Sequence, residues 1–152
     1  MNLTHRKAEI DDLKAIVALL ANDKLGQSRE KSNNDLDKAY VDAFHKINND
    51  PNQYLMVLYE NEKLIGTCHL TLLPSMTFIG STRMQIEAVR VHSDARGQNV
   101  GEQMIELAIR WGKEHGATIF QLTTNKERPD ALRFYEKLGF KATHEGMKLY
   151  LG

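Results

Sequence analysis

The chain has one cysteine, Cys68, among 152 residues. An internal disulfide is therefore excluded, and a reducing compartment fits that usage. An excess of charge is also missing: 20 Lys and Arg balance 20 Asp and Glu, and the pI is near 7.0. A broad surface for nucleic acid or anionic membrane needs a basic excess. Neither partner is expected, although a local anion pocket remains open. Long apolar runs are absent as well. The longest, Ala15 to Ala21, is far too short to span a bilayer. Met1 to Leu13 is polar and charged and holds no apolar signal core. The expectation is a cytoplasmic protein. No internal repeat, linker or low-complexity segment is visible, so residues 1–152 are read as one domain.

Several chemical motifs are lacking too. The histidines, at positions 5, 45, 69, 92, 115 and 144, show no paired ligand spacing, so no metal is expected. Cys68 and His69 are adjacent, and neighbouring strand residues point to opposite faces. That favours a buried thiol over a nucleophilic pair.

What is present is a regular order of elements. Leu3 to Ala8 predicts a short strand. Leu13, Ile16, Val17 and Leu20 share a helical face, with Glu9, Asp11 and Asp12 ahead of it. A second helix is expected from an N-cap at Asn34 or Asp35, carrying Leu36, Tyr40, Ala43, Phe44 and Ile47, until Pro51 ends it. Tyr54 to Tyr59, Leu64 to Leu73 and Arg83 to Val91 read as strands. A long helix follows, with Val100, Met104, Leu107, Ala108 and Trp111 on one stripe and Gly116 as its stop. Ala117 to Thr123 is a strand, and Pro129 opens a last helix that stops at Gly139. Phe140 to Thr143 and Met147 to Leu151 are expected to close the sheet. Interleaved helices and strands with short turns imply a mixed sheet covered on both faces.

The informative stretch is Val89 to Gly101. In the strand before it, Met84, Ile86 and Ala88 alternate on one face, and Val89 and Val91 then take the opposite phase. A β-bulge produces such a slip; a strand buried on both faces is the alternative. A short polar turn leads from this strand into a helix start. Arg96-Gly97-Gln98-Asn99-Val100-Gly101 offers a cation, glycines that let a ligand approach, and the positive end of a helix. That suits a phosphate or pyrophosphate. The Gly-Lys-Ser/Thr ending of a nucleotide P-loop and the three-glycine dinucleotide fingerprint are missing, which argues against ATP hydrolysis and NAD. A bulge frees backbone near Val89 and Val91, and a ligand with amides can pair there. Two amides, a thiol and a pyrophosphate together describe coenzyme A.

The chain resembles the GNAT superfamily of N-acetyltransferases over nearly its whole length. The element order matches. The pyrophosphate-loop signature Arg/Gln-x-x-Gly-x-Gly/Ala falls on Arg96 to Gly101, and Ala131 to Phe140 is similar to the family's segment ending in Tyr-Glu-Lys-Leu-Gly-Phe. The resemblance implies an α/β fold of the α+β kind: a mixed central sheet with a bulged fourth strand and helices on both faces. Asn99 departs from the signature, standing where it has an inner glycine. Its side chain either crowds the pyrophosphate or binds it. Arg-Gly-x-Asn-Val-Gly and the run Leu122 to Asn125 are similar to the aminoalkylphosphonate N-acetyltransferases.

The resemblance also implies roles. Acetyl-CoA would lie along Val89, Arg90 and Val91. Its pyrophosphate would sit on Arg96, Gly97, Gln98, Asn99, Val100, Gly101 and Glu102. Tyr135 would protonate the departing thiolate, a task open to a shielded phenol; the alternative is a core tyrosine. Glu87, ahead of the bulge, is either the base for the amine or a solvated carboxylate. Asn125 is either a ligand contact or a turn residue. Arg29 and Arg83 either hold an anionic substrate group or are solvated. The expected activity is direct acetyl transfer to a primary amine of a small molecule, and a homodimer is possible. Peptide acetylation and non-catalytic acyl-CoA sensing remain the alternatives.

Overall fold

Acidic residues ahead of the first helix tie the start of the chain to the sheet. The computed structural model of the chain describes residues 2–22, 25–30 and 36–152. Strand β1 (Leu3–Lys7) leads through a tight turn at Ile10–Asp12 into helix α1 (Leu13–Ala21). The Glu9 N–H donates to the Asp12 carboxylate at 2.8 Å. Arg6 grips the same carboxylate with both guanidinium ends, at 2.7 and 3.0 Å, and the Tyr59 hydroxyl donates to it as well. Asp12 is buried. Burial pushes its carboxyl up, but these hydrogen bonds outweigh that and hold it below the usual carboxylate value.

A single helical turn, α2 (Gly26–Arg29), follows α1. The next helix, α3, runs Lys38–Asn48, and its N-cap is Asp37, whose carboxylate accepts the Ala39 N–H at 2.9 Å. It therefore starts later than expected. Asn34 and Asp35 lie outside the described residues. Strands β2 (Gln53–Glu60), β3 (Lys63–Pro74) and β4 (Thr82–Val91) form an antiparallel meander with β1. The short turn α4 (Thr77–Gly80) joins β3 to β4, with Phe78 and Ile79 in the left-handed region. Helix α5 (Val100–Glu114) then crosses over to β5 (Ala117–Gln121), which runs parallel to β4. The sheet order is β1-β2-β3-β4-β5.

Strand alternation puts helices on both faces. Leu55 and Val57 of β2 pack with Leu13, Ile16 and Val17 of α1 and with Phe44 of α3. Tyr54 points the other way and stacks on Trp111 of α5, ring centroids 4.9 Å apart. Met104 and Ala108 bury the middle of α5, while Met84 and Ile86 are buried on β4. Gly112 lets α5 approach closely: a Cβ there would stand 2.6 Å from Phe120 and 2.7 Å from Met84.

The chain forms two compact units, Met1–Gln121 and Leu122–Gly152. The second contains helix α6 (Pro129–Lys137), opened by Pro129, with Gly139 just beyond its end at φ +99°. The expected closing strands, Phe140 to Thr143 and Met147 to Leu151, do not form: residues 138–152 contain no strand. Met147, Leu149 and Leu151 alternate as a strand would but stand exposed. Alternation marks a segment able to pair, and a strand exists only where a ladder supplies its backbone partners. No described helix is long and apolar enough to cross a membrane.

Candidate functional site

The phase slip in β4 is a bulge. Thr67 pairs with Arg90 and His69 with Glu87, so Ala88 and Val89 together oppose the single residue Cys68. Ala88 takes a φ of +53°. For a residue with a Cβ that conformation costs about 1–2 kcal/mol, and such strain tends to collect at functional sites.

The other edge of β4 opens at the same place. Pairing with β5 runs from Thr82 opposite Ala117 to Gln85 opposite Gln121, and stops. The strand itself continues to Val91, past the last residue paired with β5. Arg90 bends back to donate to the Val89 carbonyl at 2.9 Å.

The strand ends in a turn, Ser93–Ala95, and the chain enters α5 at Val100. Asn99 is the N-cap residue of α5, with φ +60° and ψ +21°. This explains the departure from the glycine signature. The position requires a left-handed backbone, and asparagine is among the few residues with a side chain that adopt it readily. Gly97 also has a positive φ, +79°, and no atom stands within 4 Å of where a Cβ would be; its requirement is conformational, not spatial. The Asn99 carbonyl accepts from Gln103 at 3.1 Å. The N–H groups of Val100, Gly101 and Glu102 belong to the first helical turn, which has no carbonyls behind it to bond. Arg96 is exposed and anchors to the Val91 carbonyl at 3.4 Å, while Gln98 reaches Asp94 O at 3.5 Å. Asp94, the acid in this turn, is paired to Lys63 at 2.9 Å. The result is a positively poised helix start directly after the bulged strand.

The second unit carries two further candidates. Tyr135 is half-buried, with its ring edge-on to Phe134 and Phe140 at 5.0 and 5.8 Å. Asn125 is exposed, and its side-chain carbonyl accepts the Glu127 N–H at 2.9 Å, closing a turn. Arg83 is tied to Ser75 at 3.2 Å, and Arg29 is exposed on its single turn.

Sequence reasoning missed His69. It faces Glu87 across the strand pair, Nδ1 to Oε1 3.9 Å, and its Nε2 lies 2.7 Å from Gln53 Oε1. Burial pushes its imidazole down, and the Glu87 charge pulls it partly back. His69 also lines a cavity of about 130 Å³ between α1, α3 and the sheet, together with Thr67 and Ala88 of the bulge region. No spacing along the chain marks it, because its place opposite the bulge is set by the β3–β4 register. Cys68, next to it, is buried, and burial raises its thiol to about 12. Among the described residues no three His, Cys, Asp or Glu side chains gather as a metal set.

A bulged strand, splayed from its parallel neighbour and running into a glycine- and asparagine-bent helix start, defines the acyl-CoA-dependent acyltransferase architecture. Residues 17–140 match the model of the acetyltransferase (GNAT) family. The aminoalkylphosphonate N-acetyltransferase of Salmonella typhimurium is 30% identical over 91% of this chain and 85% of its own length. Among solved structures, a Bacillus halodurans protein described as a transcriptional regulator superposes with a TM-score of 0.96, at 47% identity, covering 99% of this chain and all of that one. A predicted acetyltransferase of Clostridium acetobutylicum, solved with acetyl-CoA, shares the fold at a TM-score of 0.75 and 22% identity, over 99% of this chain and 97% of that one. The chain belongs to the GNAT family of acetyltransferases.

Proposed function

We propose that residues 1–152 act as one acetyltransferase domain that moves acetyl from acetyl-CoA to a primary amine of a small molecule. The observation that carries this is the bulge at Ala88 and Val89 of β4, on a strand that runs on into the left-handed turn before α5. In this reading the pantetheine amides pair with Val89 and Val91, and the pyrophosphate lies on Arg96 to Gly101. Arg90 and Glu102 flank it, and Asn125 adds a hydrogen bond. The Val89 N–H polarises the thioester carbonyl, which stabilises charge developing on oxygen. The amine, once deprotonated, attacks the carbonyl carbon, and the C–S bond breaks. Tyr135 gives its hydroxyl proton to the thiolate. Glu87 serves the deprotonation.

A small acceptor is supported by the modest cavity beside the bulge and by the Salmonella relative, which is named for aminoalkylphosphonates. A second reading, a non-catalytic acyl-CoA sensor, is favoured by the description of the Bacillus halodurans protein as a transcriptional regulator. One experiment separates them. The purified protein is offered acetyl-CoA with aminoalkylphosphonates, amino sugars, polyamines and amino-acid analogues, and free thiol is measured. Amine-dependent thiol release supports the transferase. Tight acetyl-CoA binding with no release against any amine supports the sensor. No binding at all would remove both.

A further inference from the structure

The hydrogen bonds behind His69 decide which of its ring nitrogens is free. Asp50 Oδ2 lies 3.0 Å from Gln53 Nε2. An ionised carboxylate only accepts, so the Gln53 amide nitrogen donates to it and the Gln53 carbonyl faces the other way. That carbonyl oxygen is 2.7 Å from His69 Nε2. A carbonyl also only accepts, so Nε2 carries the proton of the neutral ring. Nδ1 is left with its lone pair, and it is Nδ1 that faces Glu87 at 3.9 Å. Neutral imidazole with its basic nitrogen beside a carboxylate is an arrangement for accepting a proton: the imidazolium formed gains Glu87 as its partner and keeps Gln53 as its acceptor.

The location suits the acceptor rather than the cofactor. His69 lines the cavity that also reaches Ala88, the left-handed bulge residue. The edge of β4 toward β5, where the acyl donor is read to lie, is the edge away from β3. Among the described residues the groups around His69 are few. On β4 they are Glu87 and, opposite Thr67, Arg90. Behind Gln53 stands Asp50. From α3 comes Tyr40, whose hydroxyl donates to Glu30 at 2.9 Å. Helix α1 presents only apolar residues to the cavity, among them Leu13 and Ile16.

We infer that His69 Nδ1 takes the proton from the acceptor ammonium, with Glu87 stabilising the imidazolium and Gln53 positioning the ring. This rests on the acetyltransferase reading above. The ammonium gives one proton to Nδ1, and its freed lone pair forms the N–C bond at the thioester carbonyl. The C–S bond breaks, the nitrogen loses its second proton, and the thiolate gains one, so that amide and thiol are the products. The proton on His69 passes to solvent. Glu87, the base expected from sequence, then works through its neighbour.

The test has two arms. In the first, kcat is followed against pH for the wild type, His69→Gln and Glu87→Gln, with an amine found by thiol release and with folding checked by circular dichroism. His69→Gln is expected to lower kcat on the order of 10²-fold and to abolish the acid limb. Glu87→Gln is expected to move that limb to lower pH, because the imidazolium loses its anion. In the second arm, ¹⁵N NMR of the ring nitrogens reads the tautomer with no substrate present. It is expected to find the proton on Nε2, and Gln53→Leu is expected to mix the two forms. An unchanged pH profile in His69→Gln, or a proton on Nδ1, overturns the inference. If His69→Gln does not fold, a limb that stays in place in Glu87→Gln does the same. A wild type that holds the Nε2 tautomer yet acetylates no amine brings down the acetyltransferase reading itself, and this role with it.

Discussion

Gln85 and Gln121 are the last residues through which β4 and β5 pair, and their side chains are joined there by a 2.9 Å hydrogen bond. Both are half-buried. The bond sits at the point where the two strands part. Truncating either glutamine leaves the other amide short of a partner, which costs about 1 kcal/mol. In a double-mutant cycle with Gln85→Ala and Gln121→Ala, urea unfolding is expected to show the paired change losing less than the sum of the single changes. Strict additivity would mean the bond contributes nothing to closing the junction.

Arg96 is exposed and set beside the start of α5. Arg96→Ala is expected to weaken coenzyme A about 10-fold, in line with the loss of one charge-assisted contact of about 1.5–3 kcal/mol partly offset by solvent screening. Pantetheine, which lacks the pyrophosphate, is expected to bind both forms alike. Calorimetric titration of both ligands checks this. Equal losses for both ligands would place the arginine elsewhere on the cofactor.

Ala88 holds a positive φ that glycine adopts freely. Ala88→Gly is therefore expected to raise stability by up to about 1 kcal/mol, despite the larger entropy of the unfolded chain. Its effect on turnover should run the other way, since a looser bulge holds the Val89 N–H less firmly. Thermal unfolding and kcat, measured together, test the pair of expectations. A marked drop in thermal stability would show that the bulge carries no backbone strain.

At Gly112 the constraint is space. An added methyl would press on Phe120 and on Met84, both at less than 3 Å. Gly112→Ala is expected to lose about 1–3 kcal/mol by overpacking, even though alanine is the better helix former. Gly97→Ala offers a contrast, because its Cβ would meet nothing and only the backbone is strained. Denaturant midpoints for the two variants, with coenzyme A affinity, should separate them: Gly112→Ala fails in stability, Gly97→Ala in affinity.

The Arg6–Asp12 pair sets an acid limit. Asp12 has a folded pKa below its ordinary value of 3.8. Its contribution to stability is therefore present above about pH 4, and it is lost as pH falls through the folded value. Arg6 is partly exposed, at 42%, so solvent screens the pair. Asp12→Asn is expected to cost about 1–2 kcal/mol at pH 7 and to make stability less steep between pH 5 and pH 2. Urea titrations at several pH values decide. Parallel acid profiles in the two proteins would assign the acid sensitivity to other carboxylates.

Much of the fold was legible because it rests on local periodicity. The stripe of Val100, Met104 and Ala108 became the buried face of α5. The change of phase after Ala88 became a bulge with two residues opposite one. Asn34 and Asp35 attracted the N-cap assignment because several polar residues of the right type stand in a row. The cap at Asp37 follows from which carboxylate meets a free N–H, and composition does not reveal that. The closing strands were misread for a related reason: Met147, Leu149 and Leu151 alternate correctly, but the ladder that makes a strand lies outside the segment.

Taken alone, the order of residues marked the five strands of the sheet, the polar turn from Arg96 to Gly101 and the slip in β4, because each depends on neighbours a few positions apart. Tertiary structure decided the rest. It showed that Asn99 is suited to its place by a left-handed backbone, that β4 and β5 part at Gln85 and Gln121, and that His69 stands between Gln53 and Glu87. Those facts join residues on different strands. Register and sheet order bring such residues together, and no spacing along the chain encodes them.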